Sequence, residues 1–81
     1  MRFVWPECAR SELRAINRDD ATRILAALTR YGESGEGDVR ALAGQWRGFT
    51  RLRVGDYRLI LLVSPEEITV VRVRHRSDVY R

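Results

Sequence analysis

The chain contains no lysine: all 15 of its basic residues are arginine, set against 11 acids and a single histidine. Genome composition accounts for part of that bias, so the absence is not in itself a sign of phosphate recognition. Cysteine is nearly absent too. Cys8 stands alone, which excludes an intramolecular disulfide and a zinc cluster, and its thiol is expected to pack. The longest wholly apolar run, Leu59 to Val63, is far short of the roughly 20 residues of a membrane helix, and the N-terminus has no apolar signal core. A soluble, cytoplasmic chain with no membrane partner is the expectation. Paired carboxylates, metal-ligand spacings, a serine nucleophile arrangement and a phosphate-cradling glycine loop are all missing, so neither metal nor cofactor is expected.

What is present points to one small domain. At 81 residues a single unit spanning 1–81 is expected, with a modest core and marginal stability that a partner would improve. The formal charge of +4 is unevenly placed. Residues 1 to 44 carry seven arginines and seven acids, residues 45 to 81 eight and four, so the whole excess lies in the second half. A basic half facing a polyanion is one reading and plain solubility the other; charge alone does not separate them.

Arg51 to Val63 consists of two β-prone runs around Gly55-Asp56, a two-residue loop that suits a type II′ turn. Such a loop sets Val54 opposite Tyr57, Arg53 opposite Arg58, Leu52 opposite Leu59 and Arg51 opposite Ile60. Side chains alternate between faces. Leu52, Val54, Tyr57, Leu59, Leu61 and Val63 therefore form a core face, while Arg51, Arg53 and Arg58 share the other with Ile60 and Leu62. Like charges at Arg53 and Arg58, roughly 5 Å apart, work against the sheet, so stability does not explain them. The run Ile68 to Arg74 repeats the pattern, with Val70, Arg72 and Arg74 alternating with Thr69, Val71 and Val73.

Upstream, Arg2 to Trp5 reads as a short strand ended by Pro6, a residue suited to the start of a helix. Ala9, Leu13 and Ile16 give that helix an apolar stripe. A second helix is expected from an Asp19 or Asp20 N-cap, with Ala21, Ile24, Leu25, Leu28 and Tyr31 inward and Gly32 as its stop. The two form a helical hairpin whose apolar side has the sheet to lie on. Gly32 to Asp38 is a flexible acidic loop, and Asp38 is expected to cap a single helical turn through Val39 and Leu42. Trp46 reads as a lid on the core edge, an exposed stacking surface being the other reading; Trp5, Tyr31 and Tyr57 read as core. Ser64 to Glu67 is a turn.

Three stretches taken together resemble a known family over nearly the whole chain. They are Asp38-Val39-Arg40-Ala41-Leu42-Ala43-Gly44, Arg51-Leu52-Arg53-Val54-Gly55-Asp56-Tyr57-Arg58, and the ending His75-Arg76-Ser77-Asp78-Val79-Tyr80-Arg81. The family is the RelE/ParE superfamily of type II toxin–antitoxin toxins, in its RelE-like branch. The resemblance implies an α+β fold, β-α-α-β-β-β, with a small mainly antiparallel sheet packed on a helical hairpin as in microbial ribonucleases. It also implies ribosome-dependent cleavage of messenger RNA, with the ribosome and mRNA as targets and a cognate antitoxin as partner in a hetero-oligomer.

By position, Arg58 matches the family's phosphate-binding arginine, Arg76 its second catalytic arginine, Tyr80 its tyrosine, and His75 a position often basic. Arg51 and Arg53 match basic strand residues, and Arg72, Arg74 and Arg81 are expected to extend the RNA-binding surface. Metal-free RNA cleavage needs a base for the 2′-OH, positive charge on the phosphate, and an acid for the leaving oxygen. Arginine keeps its proton at physiological pH, so proton transfer is left to His75, or to Tyr80 with its pKa lowered by nearby cations. A ParE-like toxin that inhibits DNA gyrase by binding, and an inactive RNA-binding module, are the alternatives.

Overall fold

The structure, a computed structural model, describes residues 1–79, with side chains through Ser77. Strand β1 (Arg2–Val4) leads through Pro6 into α1 (Glu7–Arg14), and after a short break α2 runs from Arg18 to Ser34. The N-cap of α2 is Asn17, not Asp19 or Asp20: its side chain accepts the Asp20 N–H at 2.9 Å. Both aspartates fall instead in the first turn, where their charge complements the helix dipole.

Gly32 does not stop α2. The helix ends at Gly35, which adopts φ 77 and donates its N–H to the Tyr31 carbonyl at 2.8 Å. Gly32 has another use: a Cβ there would lie 2.8 Å from Phe3 Cζ, so its bareness lets β1 close down on the helix. Cys8 is exposed rather than packed, because Ala9 takes the inward position of that turn.

The expected helical turn after Asp38 is a strand, β2 (Asp38–Ala41), antiparallel to β3 (Thr50–Val54). Pairing along β3 gives these backbone groups partners that one isolated helical turn leaves largely unmet. A 3-10 turn at Gly44–Trp46 connects the two. The hairpin to β4 (Tyr57–Val63) has the expected register, Val54 opposite Tyr57 through Thr50 opposite Leu61, and Gly55 stands at φ 58 as a type II′ turn requires. Strand β5 (Glu67–His75) pairs with β4 and, in parallel, with β1; α3 (Arg76–Val79) follows. The five strands lie in the order β1-β5-β4-β3-β2, one strand more than the sequence pattern led us to expect.

One irregularity decides which way β5 faces. Ile60 pairs with Arg72 but Leu61 pairs with Val70, so Val71 is an extra residue on β5. This bulge resets the alternation. Val70 and Val73 both point into the core, 0% and 4% exposed, whereas strict alternation had placed them on opposite faces. Ala9, Ile24 and Leu28 from the helices meet Leu52, Leu59, Leu61, Ile68, Val70 and Val73 from the sheet, and Trp5, Tyr31 and Tyr57 pack around them. Among the described residues no helix is long and apolar enough to cross a membrane.

Candidate functional site

With one face of the sheet covered by helices, the other displays two cross-strand rows. The first runs Asp38, Arg53, Arg58, Arg74 and the second Arg40, Arg51, Ile60, Arg72. Six of these eight positions are arginine, and only Asp38 is acidic. Three directly opposed pairs, Arg53 with Arg58, Arg58 with Arg74 and Arg40 with Arg51, set like charges side by side, each costing stability where an apolar pair would add to it.

The centre of this face is concave. A hollow of about 300 Å³ is lined by Arg40, Leu42, Trp46, Arg51, Arg58, Ile60 and Arg74. Arg51 is held low in it, its side chain 16% exposed and its Nη2 3.4 Å from Asp38 Oδ1. Its Nε is buried and, among the described residues, has no hydrogen-bond partner. Rigid, partly desolvated guanidinium groups in such an array are suited to bidentate contact with phosphate oxygens.

The edge of β5 is organised by Glu12, a residue the sequence reading did not single out. Among the described residues no strand lies beside this edge beyond β1, and α1 lies there instead. The Glu12 carboxylate accepts the Val73 N–H at 2.8 Å and two hydrogen bonds from Arg72, Nε at 3.2 Å and Nη2 at 2.9 Å, and it lies 3.6 Å from Arg74 Nε. The hydrogen bond that Arg72 donates to Glu12 raises the Arg72 pKa further. Arg72 is therefore committed to the helix and does not line the hollow, whereas Arg74 reaches both Glu12 and the hollow.

The remaining expected site residues separate. Arg53 is exposed beside the hollow, between Asp38 and Arg58 in register. Arg76 lies by the β3–β4 turn, its N–H on the Asp56 carbonyl at 2.7 Å and its Nε 3.8 Å from Asp56 Oδ1. His75 pairs with Tyr57, and its ring stands edge-on to the Tyr57 ring at 5.2 Å, on the helix-bearing face. Its Nδ1 accepts the Ser77 N–H at 3.2 Å and meets Ser77 Oγ at 2.9 Å, which ties β5 to α3. The sheet thus separates His75 from the arginine hollow. Tyr80 and Arg81 lie outside the described residues.

Arg40 and Trp46 are additions. Arg40 was legible in principle, since Val39 inward between Asp38 and Arg40 is a period-two pattern. Trp46 lines the hollow instead of capping the core, with its ring edge-on to Phe49 at 5.4 Å. Among the described residues no group of three or more His, Cys, Asp or Glu side chains is placed to hold a metal.

Comparison with known proteins gives a family and a fold. The family described as ParE toxin of type II toxin-antitoxin system, parDE, matches residues 3–80. No curated protein sequence matches. Among solved structures, the chain is similar to RelE in the RelB-RelE antitoxin-toxin complex from Methanococcus jannaschii, at 22% identity, TM-score 0.77, covering 95% of this chain and 94% of that one. The archaeal RelE-RelB complex from Pyrococcus horikoshii gives 23% identity, TM-score 0.76 and 93% of each chain. A mutant of YafQ from E. coli gives 13% identity, TM-score 0.79 and full coverage of both. At these identities the likeness is one of fold.

Proposed function

The chain belongs to the ParE toxin family of type II toxin–antitoxin systems, and from that premise we propose that it is an endoribonuclease toxin, one that cuts messenger RNA on the ribosome. The observation that carries this reading is the pair of cross-strand rows bearing six arginines, four of which, Arg40, Arg51, Arg58 and Arg74, line one hollow. Arg51, Arg58 and Arg74 grip the scissile phosphate and neutralise the charge that grows on it as the 2′-oxygen attacks. Arg40 and Arg53 guide the flanking backbone. Arg76 acts at the margin of the site, by the β3–β4 turn, and Arg81 is a further proposed RNA contact.

Proton transfer is the part the arginines cannot perform. Tyr80 is the proposed titrating group, since a tyrosine hydroxyl set among cations becomes more acidic. His75 contributes by ordering the start of α3 through Ser77. The partner in the cell is a cognate antitoxin, as it is for the RelE proteins solved in complex with RelB.

Mapping cleavage of ribosome-bound message with purified protein tests this. Arg58→Ala and Arg74→Ala are expected to lower the rate by about a hundredfold or more, since a lost transition-state donor costs roughly 3 kcal/mol, while Arg76→Ala costs much less. Parental rates in folded Arg58→Ala protein would remove the hollow from the chemistry.

A second reading is a ParE-like toxin that inhibits DNA gyrase by binding. The family match favours it, as does the absence, among the described residues of the arginine face, of a side chain that titrates near neutral pH. Growth arrest without cleaved message, together with inhibited supercoiling, is its signature.

A further inference from the structure

The hollow is cationic at one end and apolar at the other. Continuing the strand alternation past the two arginine rows brings Leu42, Phe49 and Leu62 onto the same face, with the Leu42 N–H on the Phe49 carbonyl at 3.0 Å. Leu62 is 46% exposed, an unusual fraction for a leucine in the middle strand of a five-stranded sheet. On β4, Ile60 lies between Arg58 and Leu62. Trp46 stands at that end, half-buried and outside the core, and its edge-on contact with Phe49 fixes the plane of the indole.

From this arrangement we infer that Trp46 is a base-recognition residue: its indole, with Leu42 and Ile60 beside it, stacks the nucleobase attached to the ribose–phosphate held by Arg51 and Arg58. The inference rests on the RNA reading of the hollow and assigns that site a second contact. Successive same-face rows are two residues apart along a strand, roughly 7 Å, a span suited to a ribose between phosphate and base. Single-stranded RNA is bound by this division of labour, aromatic faces taking bases and guanidinium groups taking phosphates. An unstacked base would bury its faces against Trp46 and Ile60, beside Leu42. A helical protein segment is the competing occupant; it would need only an apolar surface, not an aromatic plane.

The test is binding of a short single-stranded RNA, methylated at its 2′-oxygens so that it is not cut, to the full chain and to Trp46→Leu, Trp46→Tyr and Arg58→Ala. Trp46→Leu keeps the apolar volume but loses the ring, and it should bind roughly 5- to 150-fold more weakly, the range for one lost base–aromatic stack. Trp46→Tyr should recover most of the affinity. RNA lacking bases should bind the parental chain weakly and should not distinguish it from Trp46→Leu. If Trp46→Leu binds intact RNA as the parent does while Arg58→Ala does not bind, the stacking inference is overturned and the phosphate site stands. If neither variant differs from the parent, both are overturned. If Trp46→Leu keeps RNA binding but no longer co-purifies with the antitoxin, the apolar row belongs to the protein partner and the inference fails.

Discussion

Arg58 stands between Arg53 on β3 and Arg74 on β5, a like charge on either side. Each such pair costs the sheet some tenths of a kcal/mol compared with a neutral one, so these residues reduce stability where they sit. On the opposite face the neighbouring strand residue, Tyr57, behaves differently. Burial, and then the charges of Asp20 and Asp56, hold its hydroxyl above the ordinary tyrosine range. A folded-state pKa above the unfolded value of about 10 means a contribution present below that pH and lost as pH rises through the folded value. Thermal denaturation followed from about pH 8 to about pH 11 should therefore show declining stability at the alkaline end. Tyr57→Phe should flatten that decline, and an identical slope in the variant would assign it to other groups.

Strand β5 is where the elements meet: β1 on part of one edge, β4 on the other, and α1 closing what β1 leaves open. Glu12 makes that closure with one carboxylate, satisfying the Val73 N–H and pairing with both Arg72 and Arg74. Glu12→Ala strands a partly buried N–H and two guanidinium groups, for a loss of about 1 to 3 kcal/mol. In a domain of this size that is a fall in Tm of several degrees, on the order of 4–8 °C per kcal/mol. Glu12→Gln retains an acceptor for Val73 but not the charge, so calorimetry should place it between parent and alanine variant. Equal melting of all three would mean that α1 holds the edge by packing alone.

The whole molecule has one small core, with helices on one side of the sheet and the two arginine rows on the other. A polyanion or an acidic partner laid over the arginine rows removes the repulsion, so coverage should both stabilise the fold and block the hollow. Expression of this chain alone should arrest growth, while co-expression with the neighbouring small open reading frame should restore growth and yield a co-purifying pair. Partly buried pairs in that complex should weaken with salt less steeply than RNA binding does. Soluble chain that leaves growth untouched would remove both the nuclease and the gyrase reading.

The local pattern of the sequence was sufficient for the hairpin from Arg51 to Val63, because a two-residue turn and period-two alternation leave one register and send arginine and core residues to opposite faces. It was sufficient, too, for the order of helices and for the concentration of charge in the second half. Competing local signals left the rest to tertiary structure. Asn17, Asp19 and Asp20 are all good caps, and only the backbone geometry of the break selects the first. Asp38 reads equally as a cap or a strand start, and pairing with β3 makes it a strand, which brings Arg40 to the site. The bulge at Val71 lies inside an apolar run that shows no sign of an extra residue, yet it sets which valines are core. Trp46 left the core edge for the hollow, and His75 stands across the sheet from the arginines it was grouped with, because a side chain's face is decided by what is packed on either side of the sheet, and long-range packing has no period that a single strand can display.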